Sequence, residues 1–175
     1  MPKLKIPVNK KDHQTGNQQS KIILVEYGDY QCPHCGIAYP LVKKLLAQFG
    51  NDFRFVFRNF PLQEIHPEAM LAAQAAEAAG NQNKFWEMHD LIFEHQNNLS
   101  GDFLIKGAER LHLTMDQFIA DSTSEAVVSR VENDFEGGIR SGVNGTPSFF
   151  LNGDKLNSYN ATYESLAQAV RKSIP

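Results

Sequence analysis

Two cysteines, Cys32 and Cys35, stand three positions apart in the stretch YGDYQCPHCGIAYP, residues 27–40 of a 175-residue chain. Thiols at this spacing suit thiol–disulfide exchange, because one helical turn brings the second sulfur within reach of a mixed disulfide on the first. Cys32 follows an apolar run and opens an amphipathic one. A sulfur at the mouth of a helix meets unsatisfied N–H groups and the positive end of the dipole, so Cys32 is expected to ionise below the free value of about 8.5. On this reading Cys32 attacks and Cys35 resolves. Pro33 removes a donor and stiffens the turn, and His34 would favour the thiolate further if its imidazole lies near the Cys32 sulfur. Stabilising the reduced form makes the disulfide more oxidising, so the pair is expected to oxidise the thiols of other proteins.

Two other uses of a cysteine pair weigh less. A disulfide closing so short a loop gains little chain entropy, and a chain of this length buries enough surface to need no staple. Zinc would require about two further nitrogen or sulfur ligands. The sequence has no second cysteine pair, and His66, His89, His95 and His112 lie in a different block. No metal site is expected, and the exchange needs no bound cofactor.

Two outlying positions bear on the same chemistry. Glu26 is a carboxylate inside the most apolar stretch of the chain. Its side chain either reaches a wet edge or is buried with a raised pKa, and in the second case it would accept a proton as Cys35 attacks. Pro147 directly precedes a short apolar run, where its missing N–H is tolerated. A cis Thr146–Pro147 bond would present the Thr146 backbone to a visiting peptide. The residues alone leave both the burial of Glu26 and the isomer of Pro147 open.

The elements that must position these groups follow from periodicity. KIILVEYGD (21–29) reads as a central strand covered on both faces. Ala38, Leu41, Val42, Leu45 and Phe49 recur at helical steps up to Gly50, with Pro40 inside the helix as a kink. DFRFVFRNFP (52–61) alternates Phe53, Phe55 and Phe57 against Arg54, Val56 and Arg58, a period-2 strand, and strand–helix–strand suggests a parallel pair. Residues 63 to 141 read almost wholly helical. Thr114 with Gln117, and Ser122 with Glu125, have capping-box spacing. Val128, Val131, Phe135 and Ile139 form a stripe. After Gly142, residues 148–151 and a segment beyond Asn152-Gly153 read as a hairpin, and Leu166, Ala167, Val170 and Ile174 mark a last helix.

Composition narrows the class. Apolar residues make 42% and charged residues 21%, with a formal net charge of −3, which is near the globular average. The charges are dispersed, so neither nucleic acid nor a membrane surface is expected as a partner. No run of 18 apolar residues suggests a spanning helix. The first twenty residues lack the apolar core of a signal peptide, so the chain as written is expected in the cytoplasm, with an exported mature form as the alternative.

The stretches VEYGDYQCPHCG, FRNFPL, NKFWEMHDLIFEHQ and VNGTPSFFLNG, in this order, resemble the DsbA-like thiol–disulfide oxidoreductases of the thioredoxin superfamily, from about residue 7 to the C-terminus. The resemblance implies an α/β thioredoxin fold with an inserted helical domain. Its parts would be residues 1–62, the insertion 63–141, and residues 142–175. It also implies an exposed nucleophile at Cys32, a buried resolving thiol at Cys35, a buried acid at Glu26 and a cis-proline at Pro147, with Thr146 pairing to substrate. Trp86, Met88 and His89 match the helical domain's packing motif.

The expected activity is a monomeric protein disulfide oxidoreductase acting on protein thiols, with a redox partner that the sequence does not identify. A cytoplasmic reductase running the exchange backwards is the nearest alternative; a metal-binding or chaperone module stands further off. Tyr30, Tyr39 and Phe149 are expected to offer an apolar surface beside the thiols.

Overall fold

The computed structural model describes residues 2–175. In chain order the elements are β1 (His13–Gly16), β2 (Ile23–Gly28), α1 (Pro33–Phe49), β3 (Arg54–Asn59), α2 (Ala69–Gly80), α3 (Phe85–Glu94), a 3-10 turn (Gln96–Asn98), α4 (Gly101–Arg110), α5 (Met115–Ser122), α6 (Glu125–Arg140), β4 (Ser148–Leu151), β5 (Asp154–Lys155) and α7 (Tyr163–Ser173). This is the mixed α/β thioredoxin fold that the sequence led us to expect.

The chain divides into two compact units. A sheet unit takes the chain up to Gly28, Pro33–Arg58 and Glu136–Pro175; a helical unit takes Asp29–Cys32 and Asn59–Phe135. The crossing points therefore fall at Asn59 and Phe135 rather than at 63 and 141. Asn59 explains the first of them. Its backbone N–H donates to Asp134 Oδ2 at 3.1 Å and its side-chain amide to Glu77 Oε1 at 2.7 Å, all buried groups of the helical unit.

In the sheet unit the strand order is β1-β3-β2-β4-β5. β2 occupies the middle, between β3 and β4, as its continuous apolar run requires. β4 pairs with it antiparallel, Glu26 facing Phe149 and Tyr27 facing Ser148. Asn152 and Gly153 both take positive φ, 51° and 91°, and turn β4 into β5 as their Asn-Gly sequence predicts. α1 and α7 pack together, and Ala38, Leu45, Leu166, Ala167 and Val170 are all fully buried.

Two features of this sheet depart from the sequence reading. β1, the polar segment HQTG, gave no strand signal; it is a strand because it pairs antiparallel with β3, from His13 opposite Phe57 to Gly16 opposite Arg54. And β3 is not half-solvated, since Phe55 through Asn59 are all buried. Arg58 lies in the interior against Asp12, Nε donating to Oδ1 at 2.8 Å and Nη2 to Oδ2 at 3.1 Å. Its Nη1 also donates to Ile6 O at 2.9 Å and to Tyr27 Oη at 3.0 Å. Burial opposes the Arg58 charge, but the hydrogen bond to Asp12 and the charges of Tyr27 and Asp12 hold its pKa above the ordinary value.

The outer edge of β5 is covered by the chain's first described residues. Leu4 N–H donates to Gly153 O at 2.8 Å, Lys155 N–H donates to Pro2 O at 3.1 Å, and Lys3 bridges to Asp154.

The helical unit is built on α2, whose alanines at 69, 72, 73, 75, 76, 78 and 79 are all buried. Small side chains let neighbours approach closely, and α3, α4 and α5 all pack against α2. Gly80 is the last residue of α2. Neither expected capping box forms. The Thr114 side chain accepts no capping bond, and Ser122 ends α5 with its hydroxyl donating to Ile119 O. α6 is capped instead by Ser124, whose Oγ accepts from Val127 N–H at 3.3 Å. The buried stripe of α6 is likewise turned by one position, to Val127, Val131 and Asp134, leaving Ile139 54% exposed. The cause is Asp134, a buried polar residue that apolar periodicity does not count.

Candidate active site

In the sheet unit, Glu26 is 3% exposed, so the burial that the residues left open is resolved in favour of the interior. Register places it opposite Phe149, and the Phe149 ring meets the Tyr159 ring edge-on with centroids 4.7 Å apart. The Tyr159 hydroxyl is buried and has no hydrogen-bond partner among the described residues. Its burial, followed by electrostatic interaction with Glu26 and Cys35, pushes its pKa up to about 12. Cys35 itself is fully buried in the first turn of α1. A carboxylate, a thiol and a phenol therefore share one interior corner of this unit.

The Thr146–Pro147 peptide bond is cis. It leads into β4, whose first residue, Ser148, pairs with Tyr27 of β2 and donates its hydroxyl to Gly145 O at 2.7 Å. β2 ends at Gly28, where a Cβ would lie 2.4 Å from Phe57 Cε2. α1 then runs for 17 residues with Pro33 as its first and no acidic side chain in its first turn. Pro33 and His34 are exposed.

The segment between Gly28 and Pro33 belongs to the helical unit and is held there by three side chains. The Asp29 carboxylate is fully buried and accepts from Gln31 N–H at 2.7 Å and Cys32 N–H at 3.2 Å on Oδ1. Its Oδ2 accepts from Leu62 N–H at 2.9 Å and meets His66 Nδ1 at 2.7 Å. From the other side, Gln96 Nε2 donates to Tyr30 O at 2.9 Å and Cys32 O at 2.8 Å. Gln31 Oε1 accepts from Glu68 N–H at 2.7 Å. Cys32 thus has both its N–H and its C=O fixed.

Two expectations about exposure need correction. Cys32 is only 4% exposed, so it is not the open nucleophile that the resemblance implied. Tyr30 and Phe149 are core residues and offer no apolar surface. Tyr30 Oη lies 3.0 Å from His89 Nδ1 and its ring packs on Phe93, centroids 4.9 Å apart. Tyr39 is half-buried. Ile37 and Ile65 are among the large apolar side chains that stand exposed. Trp86, Met88 and His89 lie in the helical unit, where Trp86 and His89 meet edge-on at 5.1 Å and Met88 is fully buried.

The structure therefore brings Glu26 and Cys35 together around Tyr159, a residue that the sequence reading did not single out. It also adds His66 and Gln96 as the side chains that fix the Cys32 loop. Asp29 carried a signal of its own, an acidic residue at a turn three positions before Cys32. Gln96, Tyr159 and the pairing of His66 had none, since their roles rest on contacts far along the chain. Among the described residues, no three His, Cys, Asp or Glu side chains gather to hold a metal ion.

Residues 8–172 match the family model described as Thioredoxin. Among solved structures, a thioredoxin-like oxidoreductase from Silicibacter pomeroyi DSS-3 is 25% identical, with TM-score 0.80 over 94% of this chain and 93% of that one. BdbD from Bacillus subtilis is 23% identical, with TM-score 0.80 over 95% of this chain and 94% of that one. Among curated proteins, Na(+)/H(+) antiporter NhaA 1 of Salinispora arenicola is 45% identical over 98% of this chain and 26% of its own length. The chain thus spans about a quarter of the curated relatives it matches. No described helix is long and apolar enough to cross a membrane.

Proposed function

Because this chain belongs to the thioredoxin family and has its DsbA-like fold, we propose that it is a protein disulfide oxidoreductase that donates a disulfide from Cys32–Cys35 to protein thiols. The observation that carries this reading is the placement of the chain's two thiols. One immediately precedes a 17-residue helix with no acid in its first turn, and the other is fully buried inside that turn.

A substrate thiolate attacks Cys32 Sγ of the oxidised pair. A new S–S bond joins substrate to Cys32, the old one breaks, and its electron pair leaves on Cys35. A second substrate thiolate then attacks the substrate sulfur of the mixed disulfide and releases Cys32 as thiolate. The helix N-terminus favours that thiolate electrostatically, Pro33 fixes the first turn, and His34 adds a polar side chain to it. Glu26 exchanges the proton that Cys35 gains or loses. Thr146 and the cis Pro147 offer backbone to the bound substrate segment. The exchange is complete within the chain and the substrate, and it uses no cofactor.

The direction of exchange is tested by the reduction potential of the pair, from equilibration in glutathione buffers and counting of alkylated thiols. An oxidant should lie near roughly −120 mV, whereas a value near roughly −270 mV would make the chain a reductase. An oxidant acts where thiols are not kept reduced, which favours an exported setting over the cytoplasm. Persistence of exchange in Cys32→Ser would sink the scheme in either direction.

The curated relatives support a second reading of context, in which the same redox module serves a membrane ion transporter. Transport by an antiporter bearing this segment should then change when Cys32→Ser is introduced.

A further inference from the structure

Buried hydroxyls are almost always hydrogen-bonded, and the exceptions invite explanation. The Tyr159 hydroxyl is such an exception. Its backbone N–H is satisfied by Leu156 O at 3.3 Å, and its ring is seated against Phe149, directly across the β2–β4 ladder from Glu26. The groups whose charge it feels are Glu26 and Cys35. The hydroxyl is thus a buried donor with no hydrogen-bond partner among the described residues, within electrostatic reach of Glu26 and Cys35.

We propose that Tyr159 is a positioning residue for the exchange, its hydroxyl donating a hydrogen bond to the Cys35 sulfur when that sulfur becomes a thiolate. This rests on the redox function proposed above. In the first half of the exchange the substrate thiolate bonds to Cys32 Sγ, the substrate sulfur is oxidised, and Cys35 Sγ departs with the electron pair. A buried anion then stands where a neutral sulfur stood, and charge there is costly without a donor. The phenol is the donor at hand. It keeps its own proton throughout, because burial above all holds its pKa far above neutrality. Glu26 supplies the proton that later quenches Cys35; Tyr159 supplies only the bond that makes the wait tolerable.

The test is the rate at which glutathione opens the oxidised pair, followed by acid quench and mass, in the unaltered chain, Tyr159→Phe and Tyr159→Leu. Phe keeps the ring on Phe149 and removes only the hydroxyl. The expected result is a slowing of about ten-fold, the weight of one hydrogen bond to a charged group. The slowing should be equal in Tyr159→Phe and Tyr159→Leu and constant from pH 6 to 9, where the phenol does not titrate. Tyr159→Phe should at the same time melt no lower than the unaltered chain, since the hydroxyl it lacks satisfied nothing. Equal rates in Tyr159→Phe and the unaltered chain overturn the assignment, and so does a slowing confined to Tyr159→Leu, which would belong to the ring. If glutathione fails to open the disulfide of the unaltered chain, the redox reading itself falls and this inference with it.

Discussion

Replacing Asp29 by Asn removes one charge and one acceptor from the group that fixes the Cys32 loop. The carboxylate now takes three backbone N–H groups, of Gln31, Cys32 and Leu62, and the His66 ring. An amide has one oxygen. If it stays on Gln31 and Cys32, the NH2 group faces Leu62 N–H, donor against donor; His66 can adapt by presenting its other tautomer. Stranding the partly buried Leu62 amide costs about 1–2 kcal/mol, and turning two charge-assisted bonds into neutral ones removes up to about 1 kcal/mol each. The expected loss is therefore about 1–4 kcal/mol. With a urea slope of about 2 kcal/mol/M for a domain of this size, the unfolding midpoint should fall by about 0.5–2 M at unchanged slope. Amide hydrogen exchange should accelerate most at Leu62 and less at Gln31 and Cys32. A midpoint shift below about 0.3 M, or no acceleration at Leu62, would refute the account of Asp29 as their common acceptor.

Other perturbations have outcomes of similar definition. Asp12→Asn leaves the Arg58 guanidinium buried without its counter-charge, and chemical denaturation should register a loss of about 3–5 kcal/mol, much of it regained in Asp12→Asn/Arg58→Met. Ser124→Ala should cost about 1 kcal/mol through loss of the α6 cap, and Ser122→Ala less than about 0.5 kcal/mol, both read from melts. Alkaline titration of stability should expose Tyr159. Its folded pKa of about 12 lies above the ordinary 10.0, so its contribution is whole below pH 10 and lost as the pH climbs towards 12. Over that window Tyr159→Phe should lose less stability than the unaltered chain.

What could be read in the sequence were features that a short window contains. The branched run of β2, the helical spacing after Pro33 and the Asn-Gly turn each declare themselves within ten residues, and each was found where expected. β1 escaped because its four residues are polar and half-exposed; only the ladder to β3 makes them a strand. Arg58 and Asp134 escaped because pattern reading assigns charges to solvent, whereas both are buried among partners brought from far along the chain. The same holds at the site. The cysteine pair was evident from spacing, but Gln96 reaches Cys32 across 64 positions and His66 reaches Asp29 across 37. No local pattern encodes such a meeting. The assignment of Tyr30 and Phe149 to a surface failed for the mirror-image reason: an aromatic beside a motif can as well be part of its foundation.

The covering of β5 by residues 2–4 has a consequence for the function proposed above. Under that proposal the protein works amid extended, thiol-bearing segments in search of a sheet margin to join. A bare margin would capture them and seed fibres. Here the terminal strand is two residues long, flanked by a lysine–aspartate contact and already hydrogen-bonded by residues 2 and 4. Extended segments are thereby denied that margin as a place to stay.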